Sequence, residues 1–172
     1  DSLDDFSVRK VFIDGDLVAE NGHALFDVKP FAWPSNLTHT MNLGLKICPE
    51  TFRILTNKPD GSCRVRVIGA EAGSTITKDL VMSAPVKDGE ILADPTQDLI
   101  KVFVFERHHG TGSHAAGFLH GFRIHGALAQ TVAHDAHNLL VAGDNDQDMA
   151  LAARTLADCG GGEVAVQDGK IL

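Results

Sequence analysis

The histidines of this chain are concentrated in one segment. Seven of the nine lie between His108 and His137, where Gly and other small residues are also frequent. Imidazole exchanges protons near neutral pH and is a common metal ligand. Any chemistry of the chain is therefore expected first in this segment.

The first histidine cluster spans residues 106–112 and reads Glu-Arg-His-His-Gly-Thr-Gly after an apolar run. A Gly-rich turn that leaves a strand can offer backbone N–H groups to an anion or a polar ligand. We predict that this cluster contributes to a substrate pocket or a domain interface, although its arginine is equally suited to a structural ion pair. The candidates are Arg107, His108, Thr111 and Gly112.

The second cluster, residues 134–138, lies between two apolar, strand-like runs and admits three interpretations. Two histidines three residues apart could bind a metal on a helical turn, but on a strand they would point to opposite faces. The cluster could instead form a polar site that faces a ligand or another domain. It could also be a satisfied hydrogen-bond network that closes a loop. Its candidate site residues are His134, Asp135, His137 and Asn138.

Several catalytic signatures are missing from the sequence. It contains no His-x-His, no zinc-protease helix, no P-loop and no nucleotide-binding glycine pattern. No Ser or Cys lies in a nucleophile elbow. We predict no catalytic residue and no metal site within this chain.

Composition limits the class of protein. The formal net charge of −8 argues against a nucleic-acid partner, because phosphate backbones favour clustered Lys and Arg. No apolar run is long enough for a membrane span. The three scattered cysteines are typical of reduced thiols. These features predict a soluble cytoplasmic protein.

Asp-Gly pairs indicate where strands are joined, because Asp tolerates and Gly accepts the positive φ of a type I′ turn. Four such pairs occur, and three of them separate strand-like runs. The fourth, Asp60-Gly61, opens an alternating stretch from Cys63 to Ile68. Further strands are predicted over 99–105, 127–133 and 139–142.

Helical periodicity is limited to two stretches. Apolar residues recur at helical spacing over 146–159, with Asn145 as a possible cap and the three glycines at 160–162 as a stop. A weaker helix is predicted over 113–122. The fold class is therefore α+β: a mixed sheet of hairpin-connected strands with a few helices and a small N-terminal β-hairpin unit.

The predicted domains follow from two prolines. Residues 1–29 form the β-hairpin unit. Pro30 and Pro34 disfavour helix in the residues before them, which indicates a linker over 30–50. Residues 51–172 form the main domain.

Several of these motifs resemble the C-terminal region of bacterial adenine deaminases, which belong to the amidohydrolase superfamily. The resemblance rests on the run from Ala127 to Gly143, which contains the His-Asp-x-His-Asn cluster, and on the Asn-Asp-x-Asp-Met that follows. The Glu-Arg-His cluster and the closing Asp-Gly hairpin match in order and spacing. The run 11–19 resembles the strand pair that follows the barrel in amidohydrolases.

The resemblance implies a hydrolase that converts adenine and water to hypoxanthine and ammonia. A divalent metal, Mn or Fe, is expected in an amidohydrolase barrel upstream of Asp1, where it would activate the attacking water. We then expect this chain to be inactive alone, to support or close the active site, to continue in a short tail beyond Leu172, and to form a homo-oligomer if the whole enzyme does. A second His at 109 departs from the family pattern, so another 6-aminopurine or cyclic amidine stays open as substrate. Two alternatives also stay open: a stand-alone small-molecule or metal-binding module, and a purely structural or dimerisation domain.

Overall fold

The computed structural model describes residues 7–27 and 29–172, and the chain divides into two units between Pro34 and Ser35. The first unit contains, within its described residues, the antiparallel strands β1 (Lys10–Ile13), β2 (Asp16–Glu20) and β3 (His23–Ala24). Asp14 and Gly15 join β1 to β2 with φ of 51° and 93°, as a type I′ turn requires. The N-terminal hairpin unit was predicted over 1–29, of which residues 1–6 and 28 lie outside the described residues.

The second unit, residues 35–172, holds the remaining elements. Its helices are α1 (Ser35–Thr38) and α2 (Asp146–Cys159). Its strands are β4 (Ile54–Leu55), β5 (Gly61–Gly69), β6 (Lys78–Lys87), β7 (Glu90–Ile91), β8 (Ile100–Phe105), β9 (His114–His120), β10 (Ala127–Gln130), β11 (Leu139–Gly143), β12 (Glu163–Gln167) and β13 (Lys170–Ile171). None of the helices in the described ranges is long and apolar enough to cross a membrane.

The ten strands of this unit form one sheet in the order β13-β12-β10-β11-β8-β9-β5-β6-β7-β4. Neighbouring strands pair antiparallel except β5 and β9, which run parallel at Ile68 and Leu119. The sheet is therefore mixed, and the predicted α+β class is confirmed. Two further Asp-Gly turns, at residues 88–89 and 168–169, also have positive φ at both positions.

Helix α2 has the predicted bounds because its signals are local. The Asn145 side chain accepts the N–H of Asp148, and Gly160 ends the helix at φ 90°. Met149, Ala152, Ala153 and Leu156 are buried against the sheet. Complete burial of a side chain such as Met149 or Leu156 contributes about 1.5–3 kcal/mol, so tertiary packing is the main stabilisation of this helix.

The helix predicted over residues 113–122 is wrong, because that stretch contains β9. Its backbone groups complete the ladder of β8, with Phe103 opposite Ala116 and Lys101 opposite Phe118. Phe118 on this strand reaches the core. Long-range pairing thus overrides a weak local helical tendency.

The predicted linker also differs from the division in the structure. The boundary between the units lies at Pro34, inside the predicted segment 30–50, and the residues after it belong to the second unit. Leu43 and Ile47 are buried in the core beside α2. Gly44, at φ 69°, approaches the backbone of Gly110 so closely that an added Cβ would lie 2.1 Å from the carbonyl oxygen. Residues 43–47, inside the predicted linker, are therefore packed into the domain.

Candidate functional site

Both histidine clusters lie on loops at the same end of the sheet. Loop A, residues 106–113, joins β8 to β9, and loop B, residues 131–138, joins β10 to β11. Phe105, the last residue of β8, pairs with Leu139, the first residue of β11. The two loops therefore leave adjacent strands side by side, an arrangement on which binding sites are commonly built.

Loop A is organised around the carboxylate of Glu106. One carboxylate oxygen accepts the N–H groups of His108 and His109, and the other accepts the Thr111 hydroxyl at 3.0 Å and its N–H at 3.4 Å. Desolvation would raise the pKa of Glu106, but these donors outweigh it and lower the pKa to about 2. The N–H cradle predicted for a ligand is thus filled by the chain's own carboxylate.

Arg107 connects loop B to the segment before the sheet. Its Nη1 donates to the carbonyl oxygen of Thr40 at 3.0 Å and to the Thr40 hydroxyl at 2.9 Å. Its Nε donates to the carbonyl oxygen of His137. A guanidinium holds several acceptors in a fixed plane, so Arg107 sets the position of loop B.

Two further contacts fix loop A. His108 Nε2 lies 2.9 Å from the carbonyl oxygen of Ala136. Because a carbonyl only accepts, the ring carries its proton on Nε2. Gly112 donates its N–H to the carbonyl oxygen of Leu43 at 3.1 Å. Arg107 and His108 therefore contact the second cluster directly, whereas Thr111 and Gly112 hold loop A itself.

The tip of loop B, residues 134–137, presents its side chains to solvent. His134 Nδ1 and Asp135 Oδ1 are 2.9 Å apart, and the two side chains are 98% and 91% exposed. Asp135 and His137 have φ of 65° and 47°, which is uncommon for residues other than Gly. The His137 N–H donates to the carbonyl oxygen of Ala133 and closes the turn. Such backbone strain persists only where the surrounding contacts impose it.

Asn138 is the most unusual member of loop B. Its Oδ1 is buried, yet it accepts no hydrogen bond from the part of the chain that the structure describes. A buried acceptor without a donor costs about 1–3 kcal/mol. The arrangement therefore has an unused acceptor at its base and an exposed imidazole–carboxylate pair at its tip.

Metal ligation by His134 and His137 gains no support from the geometry. Within residues 7–27 and 29–172, no group of three or more His, Cys, Asp or Glu side chains could hold a metal ion. We therefore derive no metal-dependent step on this chain.

A buried charge network escaped the sequence analysis. Lys101, on the central strand β8, donates to Glu90 at 2.7 Å, to Asp146 at 2.8 Å and to the carbonyl oxygen of Phe52 at 3.0 Å. Arg53 also donates to Glu90, at 2.7 Å. The available signal was the single charge within the apolar run 99–105.

The two carboxylates of this network respond differently to burial. Burial acts to raise the pKa of Glu90, but hydrogen bonds from Lys101 and Arg53 hold it below its ordinary value. For Asp146 burial wins, and its pKa is raised despite the bond from Lys101. Glu90 has two cationic partners, whereas within the described residues the Asp146 carboxylate hydrogen-bonds to Lys101 alone, which explains the difference.

Comparison with known proteins identifies the family. The sequence model of the adenine deaminase C-terminal domain family matches residues 74–172 of this chain, which include both loops and helix α2. The chain belongs to the adenine deaminase C-terminal domain family. The predicted resemblance is confirmed.

Adenine deaminases of several organisms are similar to this chain. The chain is 48% identical over its whole length to an adenine deaminase of Clostridium botulinum (strain Loch Maree / Type A3), and 47% identical over 96% of its length to one of Moorella thermoacetica. An adenine deaminase of Staphylothermus marinus is 36% identical over 94% of the chain. The chain spans 29%, 28% and 27% of the length of these relatives, respectively.

Proposed function

We propose that this domain functions as part of an adenine deaminase, in which it supports or closes an active site carried by another region of the same protein. Three features support the proposal: the family, the share of the relatives that the chain spans, and the lack of a catalytic signature in the sequence. The reaction would convert adenine and water to hypoxanthine and ammonia. The divalent metal expected for that chemistry would be bound outside the described residues.

The observation that carries the role of the loops is the unpartnered Oδ1 of Asn138. An acceptor buried in a loop that is otherwise well bonded is expected to meet a donor in the functional state. It lies in the same loop as His134, Asp135 and His137, whose side chains are exposed. We propose that loop B faces the substrate pocket or the barrel, where a donor from either would satisfy Asn138.

The remaining site residues would hold loop B in place. Arg107 and His108 donate to the backbone carbonyls of His137 and Ala136, and Glu106 fixes the backbone of loop A beneath them. A loop fixed in this way can exclude water from a neighbouring pocket without a large ordering cost. The proposed division of roles is therefore presentation by loop B and positioning by loop A.

The location of the chemistry is tested by assaying ammonia release from adenine with the purified 172-residue chain and with the full-length protein, each supplied with Mn²⁺ or Fe²⁺. We expect turnover only from the full-length protein. Ammonia release by the short chain that scales with its concentration, and that His134→Ala abolishes, would contradict the proposal. Stoichiometric metal on the short chain would favour a metal-binding module instead.

The role of loop B is tested with His137→Ala in the full-length protein, with His39→Ala as a matched control at another exposed histidine. If loop B serves the active site, His137→Ala lowers turnover more than tenfold while the melting temperature barely changes, and His39→Ala changes neither. A fall in stability with normal turnover per folded molecule would make the role of His137 purely structural.

A further inference from the structure

A cavity of about 590 Å³ lies at the other end of the same strands, away from loops A and B. It is lined by residues 95–98, which precede β8, and by His120 and residues 123–125, which follow β9. Loop A follows the carboxyl end of β8, and loop B precedes the amino end of β11. This cavity opens where β8 begins and β9 ends. The cavity is therefore separate from the candidate site, and a ligand bound in it would be independent of the proposed function.

The loop over this cavity, residues 121–126, has a firmly held backbone. Asp98 accepts the N–H groups of Gly121 and Arg123, each at 2.7 Å. Asp144 accepts the N–H of Gly126 at 2.9 Å. An added Cβ on Gly121 or Gly126 would lie 2.2 Å from a neighbouring carbonyl oxygen, so both glycines are required. The side chains of this loop are thus presented from a preorganised backbone.

Three acidic groups around the cavity are already bonded within the chain. Asp94 accepts hydrogen bonds from Thr96 and Gln97. Asp98 is occupied by the backbone of the loop. Asp144 is buried and accepts the Nδ1–H of His125 at 2.6 Å. Few acceptors are therefore left to meet a ligand.

Two of the three basic side chains that line the cavity, in contrast, are not engaged within the described residues. The guanidinium of Arg123 and the imidazole of His120 make no hydrogen bond or ion pair with the described part of the chain. The third, His125, is held at Nδ1 by Asp144, and its Nε2 forms a longer ion pair, at 3.8 Å, with the exposed carboxylate of Asp168, which a ligand oxygen would have to displace. Three basic side chains consequently line one cavity in a chain of net charge −8.

We propose that this cavity binds the phosphate group of a small phosphate-bearing molecule through Arg123, His120 and His125. Arginine presents several N–H donors in a plane that suits phosphate oxygens, and such charge-assisted bonds are about twice as strong as neutral ones. Asp144 acts as a positioning residue, since it fixes the ring of His125. The volume is within the range of cavities that hold small metabolites, roughly 300–1,000 Å³. The acidic surroundings limit the affinity, so inorganic phosphate alone is expected to bind with a Kd of about 1 mM.

The test is a titration of the 172-residue chain with inorganic phosphate, in which the NMR signals of the histidine rings are measured at each phosphate concentration. Sodium chloride at matched ionic strength and sodium acetate are the reference titrations. We expect saturable shifts of the His120 and His125 signals with phosphate only. Arg123→Gln should weaken binding at least tenfold, and the matched variant Arg154→Gln, at an exposed arginine on α2, should bind as the wild type does.

Folding is controlled within the same experiment. Arg123 has a φ of 49°, a left-handed conformation that costs glutamine as much as it costs arginine. The wild-type chain and Arg123→Gln should therefore have similar amide spectra. Should Arg123→Gln disturb the fold, His120→Gln provides the second variant, with an expected loss of at least threefold. The proposal would be overturned if chloride shifted the His120 and His125 signals as much as phosphate does, or if acetate bound as tightly as phosphate. It would also be overturned if folded Arg123→Gln and His120→Gln both bound phosphate as the wild type does.

Discussion

Replacement of Lys101 with methionine tests the buried charge network that sequence reasoning missed. The lysine side chain is only 3% exposed, and its Nζ bonds to two carboxylates and one carbonyl oxygen. Methionine has a similar length but no charge and no donor. The substitution therefore removes three hydrogen bonds while it leaves the packed volume nearly unchanged.

The expected loss follows from what remains bonded. Removal of one partner of a buried ion pair costs about 3–5 kcal/mol. Glu90 keeps its bond to Arg53 at 2.7 Å, and Asp146, whose pKa is already raised, can take up a proton. Both effects reduce the cost, so we expect a loss of about 3 kcal/mol. For a chain of this size that loss lowers the melting temperature by about 6–12 °C.

Urea and thermal unfolding followed by circular dichroism measure this loss. The matched control is Lys78→Met, since Lys78 pairs with Glu71 at 2.9 Å and both side chains are about 60% exposed. That exposed pair contributes at most about 1 kcal/mol. Adding Asp146→Asn to the Lys101→Met chain should restore part of the stability, because it removes the uncompensated carboxylate. A loss for Lys101→Met no larger than for Lys78→Met would refute the reasoning.

Three further perturbations test particular contacts. Glu106→Gln should speed hydrogen exchange of the backbone amides at Thr111 and its neighbours. The pKa of the Glu106 carboxyl is lowered from 4.5 to about 2. The difference in exchange rate from wild type should therefore persist above pH 4.5 and be lost as the pH falls through about 2. The hydrogen bond from His125 to Asp144 raises the histidine pKa, so its stabilisation is complete below about pH 6.5 and is lost as the pH rises through the folded-state value. Urea midpoints of wild type and His125→Gln should converge at high pH, and a constant gap would contradict this. Gly44→Ala should destabilise the chain more than Gly73→Ala. The φ values of 69° and 76° impose a similar cost of about 1–2 kcal/mol on alanine, but only the Cβ at position 44 meets a carbonyl oxygen. Equal urea midpoints for the two variants would show that this close approach is unimportant.

The sequence by itself determined the features whose causes are local. The Asp-Gly turns at 14–15, 88–89 and 168–169 form because two adjacent residues accept positive φ. Helix α2 begins and ends where its cap and its glycine lie. The α+β class followed from the order of such signals, whereas the family followed from the resemblance of longer runs such as 127–143.

Only the tertiary structure decided the features that depend on distant partners. Residues 114–120 form a strand because β8 supplies a ladder for them, and Leu43 is buried because loop A and α2 pack beside it. Lys101 is tolerated in the core because Glu90 and Asp146 meet it there. Each of these outcomes depends on the free energy of a contact between segments that are far apart in sequence, and the periodicity and capping signals of one segment carry no information about its distant partner.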